Sequence, residues 1–291
     1  MNKQKFRYRL ETILIVVHIV AGLCLILYPT VSNILKNIAF QKNIHSYTAF
    51  VEQLDEAAYT EYLTAAQQYN EQLTARGAPF PWLDTKDYAV YNKMLRISGT
   101  DVMGYVVIEK INVTLPIYHG TSDEVLQSGT GHLEGTSLPI GGVGTHSVIS
   151  GHRGLPSATL FTNLDRLVIG DTFNIRVLGE TLTYQIDQIV AVAPNDWSEL
   201  QIDESMDYCT LLTCTPYAVN THRMLVRGKR VETPSEELKT EVEWYQAVAD
   251  QNWKLILLIA AAGVLVLAII TMIVVTLIRR HQRKKHRKEI Q

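Results

Sequence analysis

The sequence predicts a mainly β fold: a closed barrel of about eight strands, carrying N-terminal helices and flanked by two transmembrane helices. Three observations predict it. From Asp101 to Glu232 the chain reads as short runs of β-branched and aromatic residues separated by turn formers. Ahead of that stretch, apolar residues recur at helical spacing. Towards each end lies a continuous apolar run, bounded on its outer side by lysines and arginines.

Residues 1–11 hold Lys3, Lys5, Arg7 and Arg9 and read as a cytoplasmic segment. Residues 12–29, nearly all apolar from Ile13 to Leu27, read as an uncleaved signal anchor, because the run is long for a signal peptide and Tyr28 to Asn33 offers no small-x-small cleavage site. Residues 30–100 are placed outside the membrane. Within them Tyr47, Val51, Leu54, Ala58, Tyr62 and Ala65 predict one or two helices over Ile44 to Arg76, either packed on the domain beyond or forming a plain stalk. Gly77-Ala78-Pro79-Phe80-Pro81-Trp82-Leu83-Asp84 ends the helical pattern with one glycine and two prolines, and holds two aromatics.

Residues 101–232 form the barrel. Strands are expected over Gly104–Ile108, Val113–Tyr118, His146–Ile149, Thr172–Val177, Thr181–Val192, Tyr208–Cys214 and Arg223–Val231, with short helical pieces over Ser122–Leu126 and Thr159–Leu167. Closing the sheet removes its exposed edges. Pro139 to Gly144 is glycine-rich but matches no phosphate-binding motif, and reads as a turn. Residues 233–252 are a polar, acidic linker. Residues 253–278 include the 24-residue apolar run Leu255–Ile278, long enough to cross a bilayer, and residues 279–291 form a basic tail with seven Lys or Arg. Positive charge outside both runs places both termini in the cytoplasm and the barrel outside.

The net charge of −2 hides an asymmetry: between the terminal segments stand 16 basic and 27 acidic residues. Such a middle has no footprint for nucleic acid. No motif asks for a cofactor. Of the three cysteines, Cys24 lies in the first apolar run, and Cys209 and Cys214 stand five apart in one strand, on opposite faces and roughly 17 Å apart, beyond disulfide reach. Cys209 reads as a small buried hydrophobe. An unpaired external thiol at a strand end, between two threonines and before a proline, reads as a nucleophile, and that is Cys214.

Arg223 follows Cys214 by nine positions, so a short loop can return its guanidinium towards the sulfur. His152 ends another β run and is flanked by Gly151 and Gly154. Cys, His and Arg supply a nucleophile, a proton shuttle and a fixed cation for an oxyanion, which is what acyl transfer on a thiol needs. His222 is a rival base, although as a strand neighbour of Arg223 it faces the other way. Arg227 shares parity with Arg223 but lies about 13 Å farther along the strand, and Arg153 is a third cation whose loop parity settles nothing. His119, His132 and His146 lie in or beside expected turns, with no cysteine or carboxylate at metal-ligand spacing.

Gly104-Tyr105-Val106-Val107-Ile108, Leu115-Pro116-Ile117-Tyr118-His119-Gly120, Gly131 to Pro139, Gly151-His152-Arg153-Gly154-Leu155-Pro156-Ser157 and Cys214 to Arg223 together closely resemble the sortases, and in detail the class C, pilus-building branch. The 62-residue spacing from His152 to Cys214 agrees with that branch. The resemblance implies a sortase β-barrel and a transpeptidase. Cys214 would attack the Thr–Gly bond of a Leu-Pro-X-Thr-Gly-like sorting signal on a pilin or surface protein, His152 would protonate the leaving amine, and Arg223 would hold the peptide or the oxyanion. A pilin lysine amine would then take the acyl group. A housekeeping sortase that anchors proteins to peptidoglycan, and a non-enzymatic surface protein on the same scaffold, are the alternatives. Class C members carry a lid with an Asp-Pro-aromatic tripeptide. Here Ala78-Pro79-Phe80 or Phe80-Pro81-Trp82 keeps the Pro-aromatic pair and lacks the acid, so Phe80 and Trp82 are the lid residues expected. The second apolar run and basic tail look like a cell-wall sorting signal, but no Leu-Pro-X-Thr-Gly precedes them, and the run is read as a retained span lying in the lipid bilayer.

Overall fold

A computed structural model describes residues 3–76, 85–97 and 99–234, with residues 261, 263, 264, 266–268, 270–272, 274–276 and 279 of the C-terminal segment. The chain divides into two compact units, one made of Met1–Leu35 with Gln246–Gln291 and the other of Lys36–Tyr245. The segment 77–84, with Phe80 and Trp82, lies outside the described residues, as does most of 235–291.

In the first unit, α1 (Lys3–Val51) contains the one helical stretch, Ile13–Val51, that among the described residues is long and apolar enough to cross a membrane. The described positions of the second apolar run are also helical. The sequence pattern separated an anchor ending at residue 29 from a helix starting near Ile44. The structure instead has a single 49-residue helix that runs through Pro29. An interior proline costs a helix one hydrogen bond and a clash with the carbonyl four residues back, and α1 continues on both sides of it.

In the second unit, the end of α1 and α2 (Glu56–Arg76) pack on the barrel, so they are not a plain stalk. Phe40 and Tyr47 are buried, and the Tyr47 hydroxyl donates to Met103 O (3.0 Å) and accepts from Leu178 N (2.8 Å). Asn70 in α2 makes a two-point bond with the backbone of Leu138, accepting from its N–H (2.7 Å) and donating to its carbonyl (3.2 Å). Short α3 (Thr85–Tyr91) is pinned by Tyr91, whose buried hydroxyl accepts from Gly120 N at 2.9 Å.

Eight strands follow among the described residues: β1 (Val102–Ile108), β2 (Val113–His119), β3 (Thr130–His132), β4 (Thr145–Ser150), β5 (Thr172–Val177), β6 (Glu180–Val192), β7 (Asp207–Thr215) and β8 (His222–Val231). They close in the order β1-β2-β3-β4-β7-β8-β6-β5, with β2–β3 and β4–β7 parallel. The seven expected strands are present with ends shifted by at most two residues. The addition is β3, whose three residues, Thr130, Gly131 and His132, are too few and too poor in β formers to make a strand-like run. Ser122–Leu126 becomes α4 (Asp123–Ser128), capped by Ser122, and Thr159–Leu167 holds only a 3₁₀ turn, Leu164–Arg166. The glycine-rich segment is a turn in which Gly141, Gly142 and Gly144 take positive φ. Asp207 fastens it by accepting from Gly142 N at 2.8 Å.

His119 and His132 end β2 and β3, and His146 lies near the start of β4, beside turns as expected; their rings serve the core. His132 is fully buried, with Nε2 2.8 Å from Ser137 O and Nδ1 3.0 Å from the Tyr91 hydroxyl. His146 bridges Gln201 O and Thr210 Oγ1. Burial pushes the pKa of each down from 6.5 to about 4, against the smaller upward pull of the backbone carbonyls. Between those values the unfolded chain binds more protons than the folded one, so stability is full above about pH 6.5 and declines as pH falls towards 4. At about 1.4 kcal/mol per unit, each histidine contributes at most about 3 kcal/mol to the decline. Urea unfolding of the full chain in detergent should show the midpoint falling from pH 7 to pH 4.5, and falling less in His146→Gln, whose amide can still reach Thr210. An equal fall in the variant would contradict a neutral His146.

Candidate active site

Three adjacent strands, β4, β7 and β8, build the site at one end of the barrel. In β7, Cys209, Leu211 and Thr213 alternate inward, so Cys214 falls on the opposite face, and the exposures follow: Cys209 is 1% exposed and Cys214 is half-buried. Burial pushes the Cys209 thiol far up, as does Asp207 to a lesser extent, which leaves it an inert core residue.

The β7–β8 register places Cys214 directly across from Arg223. Residues opposite each other in an antiparallel pair share a face, with Cβ atoms about 5 Å apart. A tight turn makes this possible: Val219 N and Asn220 N both donate to Pro216 O (3.1 and 3.0 Å), with Ala218 and Asn220 at positive φ. Left-handed backbone at a non-glycine residue costs about 1 kcal/mol, strain of the kind found at functional loops. The Arg223 guanidinium donates through Nη1 to Asn220 O (3.3 Å) and His222 O (3.2 Å), and pairs with no carboxylate among the described residues.

The β4–β7 register runs from Thr145↔Asp207 to Ser150↔Leu212, a constant offset of 62 residues. Two bonds carry it past the end of β4: Gly151 N donates to Leu212 O (3.0 Å), and the Thr213 hydroxyl donates to Gly151 O (2.7 Å). Extended by two residues, the register sets His152 level with Cys214, and the 62-residue spacing seen in the sequence is that offset. Gly151 is required here, since a Cβ would stand 2.7 Å from Phe161 Cδ2. Behind the loop, Phe161 N donates to His152 O (3.1 Å) and Gly154 N to Thr162 Oγ1 (3.1 Å). Cys214 and Arg223 thus face one another across β7 and β8, and His152 follows two residues beyond the end of β4.

The rivals have other employment. His222 is exposed, opposite Thr215, with Nδ1 3.0 Å from the Thr221 hydroxyl. Arg227 makes a two-point ion pair with Asp187, 3.0 Å at each nitrogen, and lies 4.3 Å over the Tyr208 ring. Arg153 is ion-paired with Asp165. Among the described residues no group of His, Cys, Asp and Glu could hold a metal ion. Thr213 and Asp165 carried no signal in the sequence, because their roles depend on which backbone or side chain the fold brings to them.

A sortase-domain family model matches residues 106–231. Sortase D of Bacillus subtilis (strain 168) is 30% identical over 131 residues, 44% of this chain. The chain spans 63% of that relative's length. Sortase C1 of Streptococcus agalactiae superposes with a TM-score of 0.64 at 50% identity, covering 66% of this chain and 100% of the solved one. Sortase C of Streptococcus pneumoniae gives 0.58 at 44% identity, covering 65% and 96%.

The thiols should differ sharply in reactivity. In a Cys24→Ser background an alkylating reagent should add once, on Cys214, well before Cys209 reacts, as read by peptide mass mapping. Comparable rates at the two cysteines would contradict the facing described.

Proposed function

The chain belongs to the sortase family, with class C sortases among its structural neighbours, and on that premise we propose that it is a membrane-anchored cysteine transpeptidase that polymerises pilin subunits. The observation that carries the reading is the pairing of Cys214 opposite Arg223, a cation that keeps only backbone partners among the described residues, and the β4–β7 offset, continued to His152, supports the third member. The pneumococcal relative has pilin substrates.

Cys214 Sγ, as a thiolate, attacks the carbonyl carbon of the Thr–Gly bond in a Leu-Pro-X-Thr-Gly-like signal. Negative charge collects on the carbonyl oxygen, and Arg223 on the neighbouring strand offsets it. The C–N bond breaks as His152 gives a proton to the glycine nitrogen, leaving an acyl thioester on Cys214. A pilin lysine amine then loses a proton to His152 and attacks the thioester, and Cys214 departs as a thiolate. One amide replaces another, so the exchange needs no outside energy source.

The apolar part of α1 anchors the enzyme, the run 253–278 adds a second span, and the barrel stands outside the cell with both termini in the cytoplasm. The segment 77–84, outside the described residues, is the proposed lid, with Phe80 and Trp82 as its candidate residues. Sortase C1 of S. agalactiae has a lid.

In an assay with a purified pilin, Cys214→Ala should abolish polymer ladders, and His152→Ala and Arg223→Ala should each lower turnover by about 10²–10³-fold or more. His222→Ala should keep most activity, and Arg227→Ala should lower the unfolding midpoint more than the turnover of the folded fraction. Greater loss of turnover in folded Arg227→Ala than in Arg223→Ala would assign the wrong cation.

A further inference from the structure

Arg153 directly follows His152, and its side chain is 7% exposed. A buried cation carries a large desolvation cost, and a well-packed apolar residue commonly stabilises a fold as well or better. What the guanidinium does here is join three segments. Its Nη2 is ion-paired with Asp165 on the 3₁₀ turn Leu164–Arg166. Its Nη1 donates to the Thr215 hydroxyl at 3.3 Å. Its carbon lies 5.9 Å from the centre of the Tyr217 ring, and that ring also sits against Gly154, where a Cβ would meet Tyr217 Cε2 at 3.1 Å. Thr215 is the residue after Cys214, just as Arg153 is the residue after His152.

We propose that Arg153 is a positioning residue: held by Asp165, it clamps the backbone after His152 to the backbone after Cys214 and so sets the approach of imidazole to thiol. The ladder that aligns these two chains ends at Gly151; the first runs on as a loop, while β7 continues to Thr215 paired with β8. Beyond that point, among the described residues, the Arg153–Thr215 bond and the Tyr217 contact link them. The pairing with Asp165 turns the guanidinium away from the oxyanion, which leaves that role to Arg223. A planar fork reaches two partners at fixed separation, whereas a lysine ammonium reaches one reliably. This inference rests on the transpeptidase reading for its kinetic part, and on geometry alone for the coupling of the two side chains.

The test uses the full chain in detergent, with Cys24→Ser, and two readouts. The first needs no substrate: the rate of Cys214 alkylation by iodoacetamide against pH, in the parent, His152→Ala, Arg153→Ala, Arg153→Lys and Asp165→Asn. The profiles of Arg153→Ala and Asp165→Asn should move from the parent's towards that of His152→Ala, with Arg153→Lys between. The second is cleavage of a Leu-Pro-X-Thr-Gly peptide. There kcat should fall by up to about 10²-fold, the cost of a misplacement near 1 Å, with KM changing less than about twofold. All values are taken on protein that remains folded by circular dichroism, and Asp165→Asn, altered at a half-exposed site, serves if Arg153→Ala does not fold. Alkylation profiles identical to the parent's in folded Arg153→Lys and Asp165→Asn would overturn the clamp. A parent chain that cleaves no peptide would sink the transpeptidase reading, while the alkylation profiles would still decide the clamp.

Discussion

The register of β7 against its two neighbours is the constraint on which the rest depends. Against β4 the offset is 62 residues, and against β8 the pairing sets Cys214 across from Arg223. Because side chains alternate along a strand, a slip of one residue in either pairing would turn a member of the trio to the other face. The register is protected from both sides of the sheet. Inside the barrel Ile149, Leu211 and Val226 are fully buried, and outside it Val148, Leu200, Leu212 and Leu225 form a second apolar cluster against Trp197. A slip would take each set out of the cluster in which it packs.

The same register sorts the cations. Arg223 and Arg227 share parity on β8, and the difference between them lies in what the neighbouring strand offers. Opposite Arg227 runs β6, whose Asp187 neutralises it, while Arg223 lies at the mouth, where the turn presents only carbonyl oxygens. A carboxylate beside a cation competes with any developing oxyanion, and carbonyl dipoles compete far less. Arg153 is withdrawn in the same manner by Asp165.

Much of this was legible in the residues. Runs of β-branched and aromatic residues marked seven strands, and the nucleophile followed from counting: five positions separate Cys214 from a cysteine that packs inward. Three matters were not legible. Strand β3 is only Thr130, Gly131 and His132, too short a run to show itself. His119, His132 and His146 were read as lying in or beside turns, and their employment was not legible: burial and bonds to Met94, Ser137, Tyr91 and Gln201 make them part of the packing. The employment of Arg153 could not be read because its loop has no parity, and only the tertiary approach of Asp165 and Thr215 decides it. The helices over 44–76 were legible as helices, but their packing was not: Asn70, the residue that fastens α2 to Leu138, is polar and breaks the apolar stripe.

The central claim, that register delivers one thiol, one imidazole and one guanidinium to one site for acyl transfer, is tested most directly by trapping the intermediate. The full chain would be mixed with a Leu-Pro-X-Thr-Gly peptide in the absence of an amine acceptor, then analysed by intact and peptide-level mass spectrometry. The account predicts an adduct of the peptide ending in threonine, bound through its carbonyl to Cys214 and released by hydroxylamine, with the glycine fragment free in solution. An adduct on Cys209, or none on a folded chain whose Cys214 still reacts with an alkylating reagent, would contradict it.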